Sequence, residues 1–152
     1  MLRKLIQTDN DIAGLIVRVA LGTVILPHGL QKLLGIFGGF GFSATMVYFE
    51  SAGMPLAIGF LIIIGESFES VRLIVGFFSR FAAFGISLIM LGAIFLVHLQ
   101  YGFFANWFGA QQGEGIEYHL LALGLGITTV IVGSGRWSVD RFLSNRLRRS
   151  VQ

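Results

Sequence analysis

The chain has no cysteine and only two prolines, and charged residues occupy just 12% of its 152 positions. Without a thiol it cannot close a disulfide, run thiolate chemistry or ligate an iron–sulfur cluster by itself. With so little charge it cannot clothe a water-facing surface, because soluble domains carry charge at about a quarter of their positions. No phosphate loop, nucleophile elbow or dinucleotide fingerprint is present. The glycines of GIFGGFGF (35–42) lack the strand and helix that such a fingerprint requires. Lysine and arginine are missing altogether from two long segments, 35–53 and 102–115.

What fills the chain instead is apolar. Hydrophobic residues make up 55%, glycines number 21, and mean hydropathy is +0.80. Glycine at this density suits membrane helices, where it lets backbones approach closely. The composition identifies an integral membrane protein. The net charge of +3 could suggest nucleic acid, but its placement argues against that partner. Arg136, Arg141, Arg146, Arg148 and Arg149 follow the last apolar stretch, and Arg3 and Lys4 precede the first. Basic residues flanking spans mark the cytoplasmic side of a membrane.

Four apolar stretches are long enough to cross a hydrocarbon core that needs roughly 20 helical residues. They run over residues 12–34, 54–78, 81–104 and 118–135, with a basic tail over 136–152. The expected fold is all-α, a single domain forming an antiparallel four-helix membrane bundle. The first stretch carries Arg18 and passes Pro27 without a small-residue cleavage site, so it is expected to be a retained span. Ser79 and Arg80 alone join the second and third stretches, which predicts a tight hairpin. The positive-inside rule places both termini and Arg80 in the cytoplasm, with the two glycine-aromatic segments outside as interfacial or re-entrant structure.

Ionisable residues fall inside these stretches in two layers. Arg18 is expected about 9 Å deep from the cytoplasmic end of the first span, and Glu69 about 14 Å deep in the second. Glu66, Glu69 and Arg72 are spaced three apart, so on an α-helix they share a face. Arg18, Glu66 and Glu69 are therefore expected to pair. Two readings stand for them: an ion pair that fixes packing, or a proton relay or substrate anchor, since intramembrane charges are costly. Arg72 is expected to snorkel to the interface. Towards the outer side, His28, His98, Glu117 and His119 can line one pocket, with Lys32 at the outer interface. For the histidines, satisfied buried residues and ligand-binding groups both remain open, with neither metal nor haem expected. Glu117 also suits a helix N-terminus. Phe37, Phe40, Phe42, Phe103, Phe104, Trp107 and Phe108 suit an interfacial belt, although aromatics beside His and Glu would also suit a quinone headgroup.

Several segments resemble the DoxX family of small bacterial membrane proteins. They are RVALGTVILPHGLQK (18–32), the Gly65–Glu66 pair, LIVGFFSRFAA (73–83), MLGA (90–93), IEYHLLAL (116–123) and GSGRWSVD (133–140). The resemblance spans nearly the whole chain and implies a helical bundle in the bacterial cytoplasmic (inner) membrane. It implies a family polar pattern at Arg18, His28, Gly29, Lys32, Glu66 and Glu117. The sequence departs from that pattern after Glu66, where Ser67, Glu69 and Arg72 replace the usual small residues. Some relatives are subunits of thiosulfate:quinone oxidoreductase, and others join redox partners in oxidative-stress complexes. The first expectation is therefore a quinone-linked oxidoreductase subunit. Arg18, Glu66 and Glu69 would do proton work, and His28, Lys32, His98, Glu117 and His119 would hold quinone. The alternatives are a non-catalytic organiser of a redox complex and a small transporter. Expected partners are the lipid bilayer, soluble redox proteins and a second copy of the chain, with the basic tail as a docking surface or a contact for anionic lipid.

Overall fold

The computed structural model describes residues 5–149. Arg3 and Lys4, the side chains of Arg148 and Arg149, and residues 150–152 lie outside the described residues. Among those described the fold is all-helical.

Helix α1 spans Ile12–Leu34. It begins where the Asp11 carboxylate accepts from the Ala13 and Gly14 amides, and it ends where Gly35 turns left-handed. Helix α2 (Gly41–Ser51) follows within the first glycine-aromatic segment. Helix α3 (Leu56–Ile64) continues through a π-helical turn (Gly65–Glu69) into α4 (Ser70–Val75), forming one rod. The hydroxyls of Ser67 and Ser70 donate to the carbonyls of Ile63 and Glu66 around that turn. Such back-bonding disturbs the α-helical ladder and accompanies the wider winding. Helix α5 (Ser79–Ala93) likewise runs into a π turn (Ile94–His98) and a short 3₁₀ turn (Leu99–Tyr101). Helix α6 covers Glu117–Val132 and α7 covers Val139–Arg149. The connection between the second and third stretches is Gly76–Phe78. Ser79 and Arg80, expected to form it, instead open α5.

The main contacts run from α1 to the rod, from the rod to α5, from α5 to α6, and from α6 back to α1. Two of these elements, Ile12–Leu34 and Ser79–Tyr101, are long and apolar enough to cross a membrane, and α6 is a shorter apolar helix. Large apolar side chains cover the outside: Leu96, Leu121 and Ile131 are each about 70% exposed. Arg18, Glu66, Ser70, Thr129, Ser134 and Asp140 are buried. That inversion is what hydrocarbon surroundings demand.

Helix α1 meets the rod along one face and runs antiparallel to it. Arg18 faces Leu73 and Ile74, Gly22 faces Ser70, and Gly29 faces Glu66 and Ser67. A β-carbon at Gly29 would lie 2.5 Å from the Ser67 amide nitrogen, so only glycine allows this approach.

Arg18 corrects the expected pairing with Glu66 and Glu69. Its Nε donates to Ser134 O at 2.6 Å, and Nη1 donates to Leu73 O at 2.8 Å and to Ile74 O. Its Nη2 donates to Trp137 O at 2.9 Å and Arg136 O at 3.3 Å. All five guanidinium donors are thereby used on backbone carbonyls. The reason is geometric: Leu73 O and Ile74 O lie in the last turn of α4, at the negative end of its dipole, and the turn carbonyls of Ser134, Arg136 and Trp137 converge on the same guanidinium. The carboxylate whose field reaches Arg18 is Asp140, which is fully buried. Asp140 accepts from the Phe78 amide (2.7 Å), the Ser79 amide (3.0 Å) and the Ser134 hydroxyl, and so caps α5 from α7. Phe78 (φ 48°) and Trp137 (φ 51°) adopt left-handed backbone that large side chains disfavour, and both are pinned by this network.

Lysine has three donors where arginine has five, so Arg18→Lys leaves at least two carbonyls unpaired at about 1–3 kcal/mol each. The expected outcome is a melting temperature lower by roughly 10 °C in detergent, followed by circular dichroism. An unchanged melting temperature would remove the network from its organising position.

Candidate functional site

At the opposite end of the α1–rod interface the polar residues form a different arrangement. Lys32, one turn after His28, reaches across to Glu66 with Nζ 2.5 Å from Oε2. The Glu66 side chain is 7% exposed and that of Lys32 26%, so this is a largely sheltered ion pair. Lys32 was expected at the outer interface; instead it supplies the positive partner expected from Arg18. Glu66 also lies within electrostatic reach of His28 and Tyr118.

From there the groups continue along the start of α6. The His28 and Tyr118 rings are 5.7 Å apart, Tyr118 and His119 are 5.3 Å apart, and His119 and His98 are 4.1 Å apart. His98 ends its π turn with Nδ1 2.8 Å from the Glu114 carbonyl oxygen. Glu114 in turn accepts from the Asn106 amide at 2.6 Å, which ties segment 102–115 to the site. The structure therefore brings together His28, Lys32, Glu66, His98 and His119, and adds Tyr118. Glu117 opens α6 with its amide donating to Phe103 O at 2.9 Å. Its half-buried carboxylate has no ion-pair partner among the described residues.

Glu69 is held elsewhere. Both its oxygens accept from Arg72 Nη1 at 2.8 Å, and the Arg72 guanidinium lies 5.3–5.8 Å from the rings of Phe77, Phe78 and Phe81. The expected Glu66–Glu69–Arg72 ladder assumes α-helical winding. The i→i+5 winding of Gly65–Glu69 spreads each turn over more residues, so Glu66 turns inward to Lys32 while Glu69 stays with Arg72.

The buried Tyr118 hydroxyl has no hydrogen-bond partner among the described residues, and His119 Nδ1 has only a poorly aligned contact with the Gly115 carbonyl; the third such atom is Arg80 Nε. Arg80 is otherwise held by the carbonyls of Val130, Ile131 and Gln7. Tyr118 escaped the sequence reading because a tyrosine opening a span suits an interfacial belt equally well. Asp140 escaped because it sits in an otherwise basic tail.

The DoxX family model matches residues 13–99, more than half of the chain and including Arg18, His28, Lys32 and Glu66. The chain belongs to the DoxX family. It is a membrane protein of that family, and it is 28% identical to a Bacillus subtilis protein named "Putative oxidoreductase CatD" over 88% of each chain. It is also 28% identical to the membrane protein Rv3486 of Mycobacterium tuberculosis, over 94% of this chain and 88% of that one. No solved structure matches it significantly. The DoxX match ends at residue 99, so Tyr118 and His119 come from beyond it.

Removing one partner of a sheltered pair leaves an uncompensated charge, at a cost of about 3–5 kcal/mol. Lys32→Met in this DoxX protein is accordingly expected to be strongly destabilised. The double variant Lys32→Met/Glu66→Gln should recover most of that loss. Additive losses in detergent unfolding would show that the two side chains do not act as a pair.

Proposed function

We propose that this DoxX protein is a quinone-linked oxidoreductase subunit of the bacterial cytoplasmic membrane, with four spans and both termini inside. The basic residues support the orientation. Arg80 and α7 lie at one end, and the two segments without lysine or arginine lie at the other. One observation carries the functional reading: the Tyr118 hydroxyl is buried and unpaired among the described residues, within electrostatic reach of Glu66 and with the His119 ring 5.3 Å from its own. An unsatisfied buried polar group costs about 1–3 kcal/mol, and a ligand that supplies the missing hydrogen bonds removes that cost.

A quinone headgroup fits the donor set. It is flat and offers two carbonyl oxygens, and the site offers a phenol, imidazoles and an ammonium group among aromatic rings. Tyr118 would donate to one carbonyl oxygen, and His119 would serve as donor or acceptor according to its tautomer. A quinone held there would supply a two-electron, two-proton acceptor. Glu66, paired with Lys32 and within electrostatic reach of Tyr118, would be the carboxyl group that exchanges protons with the site. His98 extends the polar line towards segment 102–115, where it meets the Glu114 backbone carbonyl. The electrons would come from a substrate or a soluble redox partner docked on the membrane protein.

Purified protein should quench in its Trp107 fluorescence on addition of a short-chain quinone. Tyr118→Phe should weaken that binding by about tenfold, the worth of one good hydrogen bond. The same variant removes an unpaired hydroxyl, so its melting temperature should stay level or rise. Loss of binding only in parallel with loss of fold, or no quinone effect at all, would refute this reading.

A further inference from the structure

Helix α7 has a second polar feature, remote from the line between Lys32 and His98. Its residues Asp140 and Ser144 are buried against the rest of the protein. Arg141 and Phe142, with Asn145 one helical turn on, line instead a cavity of about 400 Å³ completed by Asn10 and residues 136–138. That volume lies in the range of small-ligand sites, roughly 300–1,000 Å³.

The lining is chemically one-sided. It holds two guanidinium groups and two carboxamides, and it has no carboxylate. Arg136 is steadied by Asn10, with Nε 3.3 Å from Oδ1, and its terminal nitrogens have no partner among the described residues. The Arg141 guanidinium likewise has no partner among them. The walls are aromatic and open: Trp137 is 76% exposed and Phe142 55%. Arg136 lies over the Trp137 ring at 5.9 Å and Arg146 over Phe142 at 4.5 Å. A soluble polyanion would satisfy the arginines but leave these rings in water. A lipid satisfies both, because its phosphate carries the charge and its chains cover the rings. Basic residues interleaved with tryptophan just beyond an apolar helix form the usual signature of the charged membrane interface.

We propose that this cavity is an anionic phospholipid site. The lipid phosphate sits between Arg136 and Arg141, within reach of Asn10 and Asn145, and the acyl chains run beside Trp137 and Phe142. Asp140 anchors the site by tying α7 to the start of α5, so the lipid contact is built onto the same network that binds Arg18.

The test uses the full chain in mild detergent with Trp107→Phe, which leaves Trp137 as the only tryptophan. Micelles containing phosphatidylglycerol are expected to blue-shift Trp137 emission saturably, and phosphatidylcholine is not. Native mass spectrometry should show retained phosphatidylglycerol. Arg136→Gln/Arg141→Gln should weaken its binding roughly 30-fold, and Arg141→Gln alone, whose side chain holds nothing else, about fivefold. Equal binding of the two lipids, or full affinity in both variants, would overturn the proposal. So would displacement of the lipid by inorganic phosphate or a short RNA at equal concentration.

Discussion

One arginine organises this protein. Arg18 is buried, and its five donors bind five carbonyls from two places far apart in sequence, the end of α4 and the turn from α6 to α7. A buried guanidinium is tolerable only when its charge and donors are met. Here two helix-end carbonyls and three turn carbonyls meet the donors, and the buried Asp140 adds the opposite charge. The turn after α4 depends on it. Gly76 is left-handed (φ 74°), and a β-carbon there would run into Ser138. The same network fixes one end of the α1–rod interface, and close packing at Gly22 and Gly29 carries the register onward to Lys32 and Glu66.

The two polar ends of that interface differ in a way that separates architecture from chemistry. Around Arg18 and Asp140 the donors and acceptors are matched, and Ser134 bridges to both Ser79 and Asp140. At the Tyr118 hydroxyl they are not. A matched network rigidifies a fold, whereas unpaired buried atoms hold hydrogen-bonding capacity for something else. The π turns fall where this matters: one presents Glu66 and the other ends in His98. Such turns re-aim side chains without ending a helix, and they recur at functional sites.

Much of the fold was legible because the membrane imposes a simple code. Apolar length located α1, the rod, α5 and α6, and the cap residues Asp11 and Gly35 confine α1 to Ile12–Leu34, as its hydropathy indicates. The expected neighbours His98 and His119 have rings 4.1 Å apart, whereas His28 lies against Tyr118. The partners of the charges were not legible in this way. Depth placed Arg18 level with Glu69, but depth does not reveal that carbonyls can outcompete a carboxylate for a guanidinium. Spacing put Glu66 and Glu69 on one face, but only for α-helical winding, and the π turn is set by serine back-bonding and close packing rather than by hydropathy. The helix within 35–53 was hidden by its glycines, and the structural role of Asp140 by the arginines around it.

Central to this reading is that the polar line from Lys32 to His98, in which Glu66 and His119 are buried, receives a quinone headgroup. Photolabelling with an azido-quinone, followed by peptide mapping of the intact protein in lipid nanodiscs, tests this most directly. The account predicts adducts on the peptides carrying His28 and Tyr118–His119, suppressed by excess unlabelled quinone. Adducts scattered over the lipid-facing residues of α5 and α6, indifferent to competitor, would contradict it.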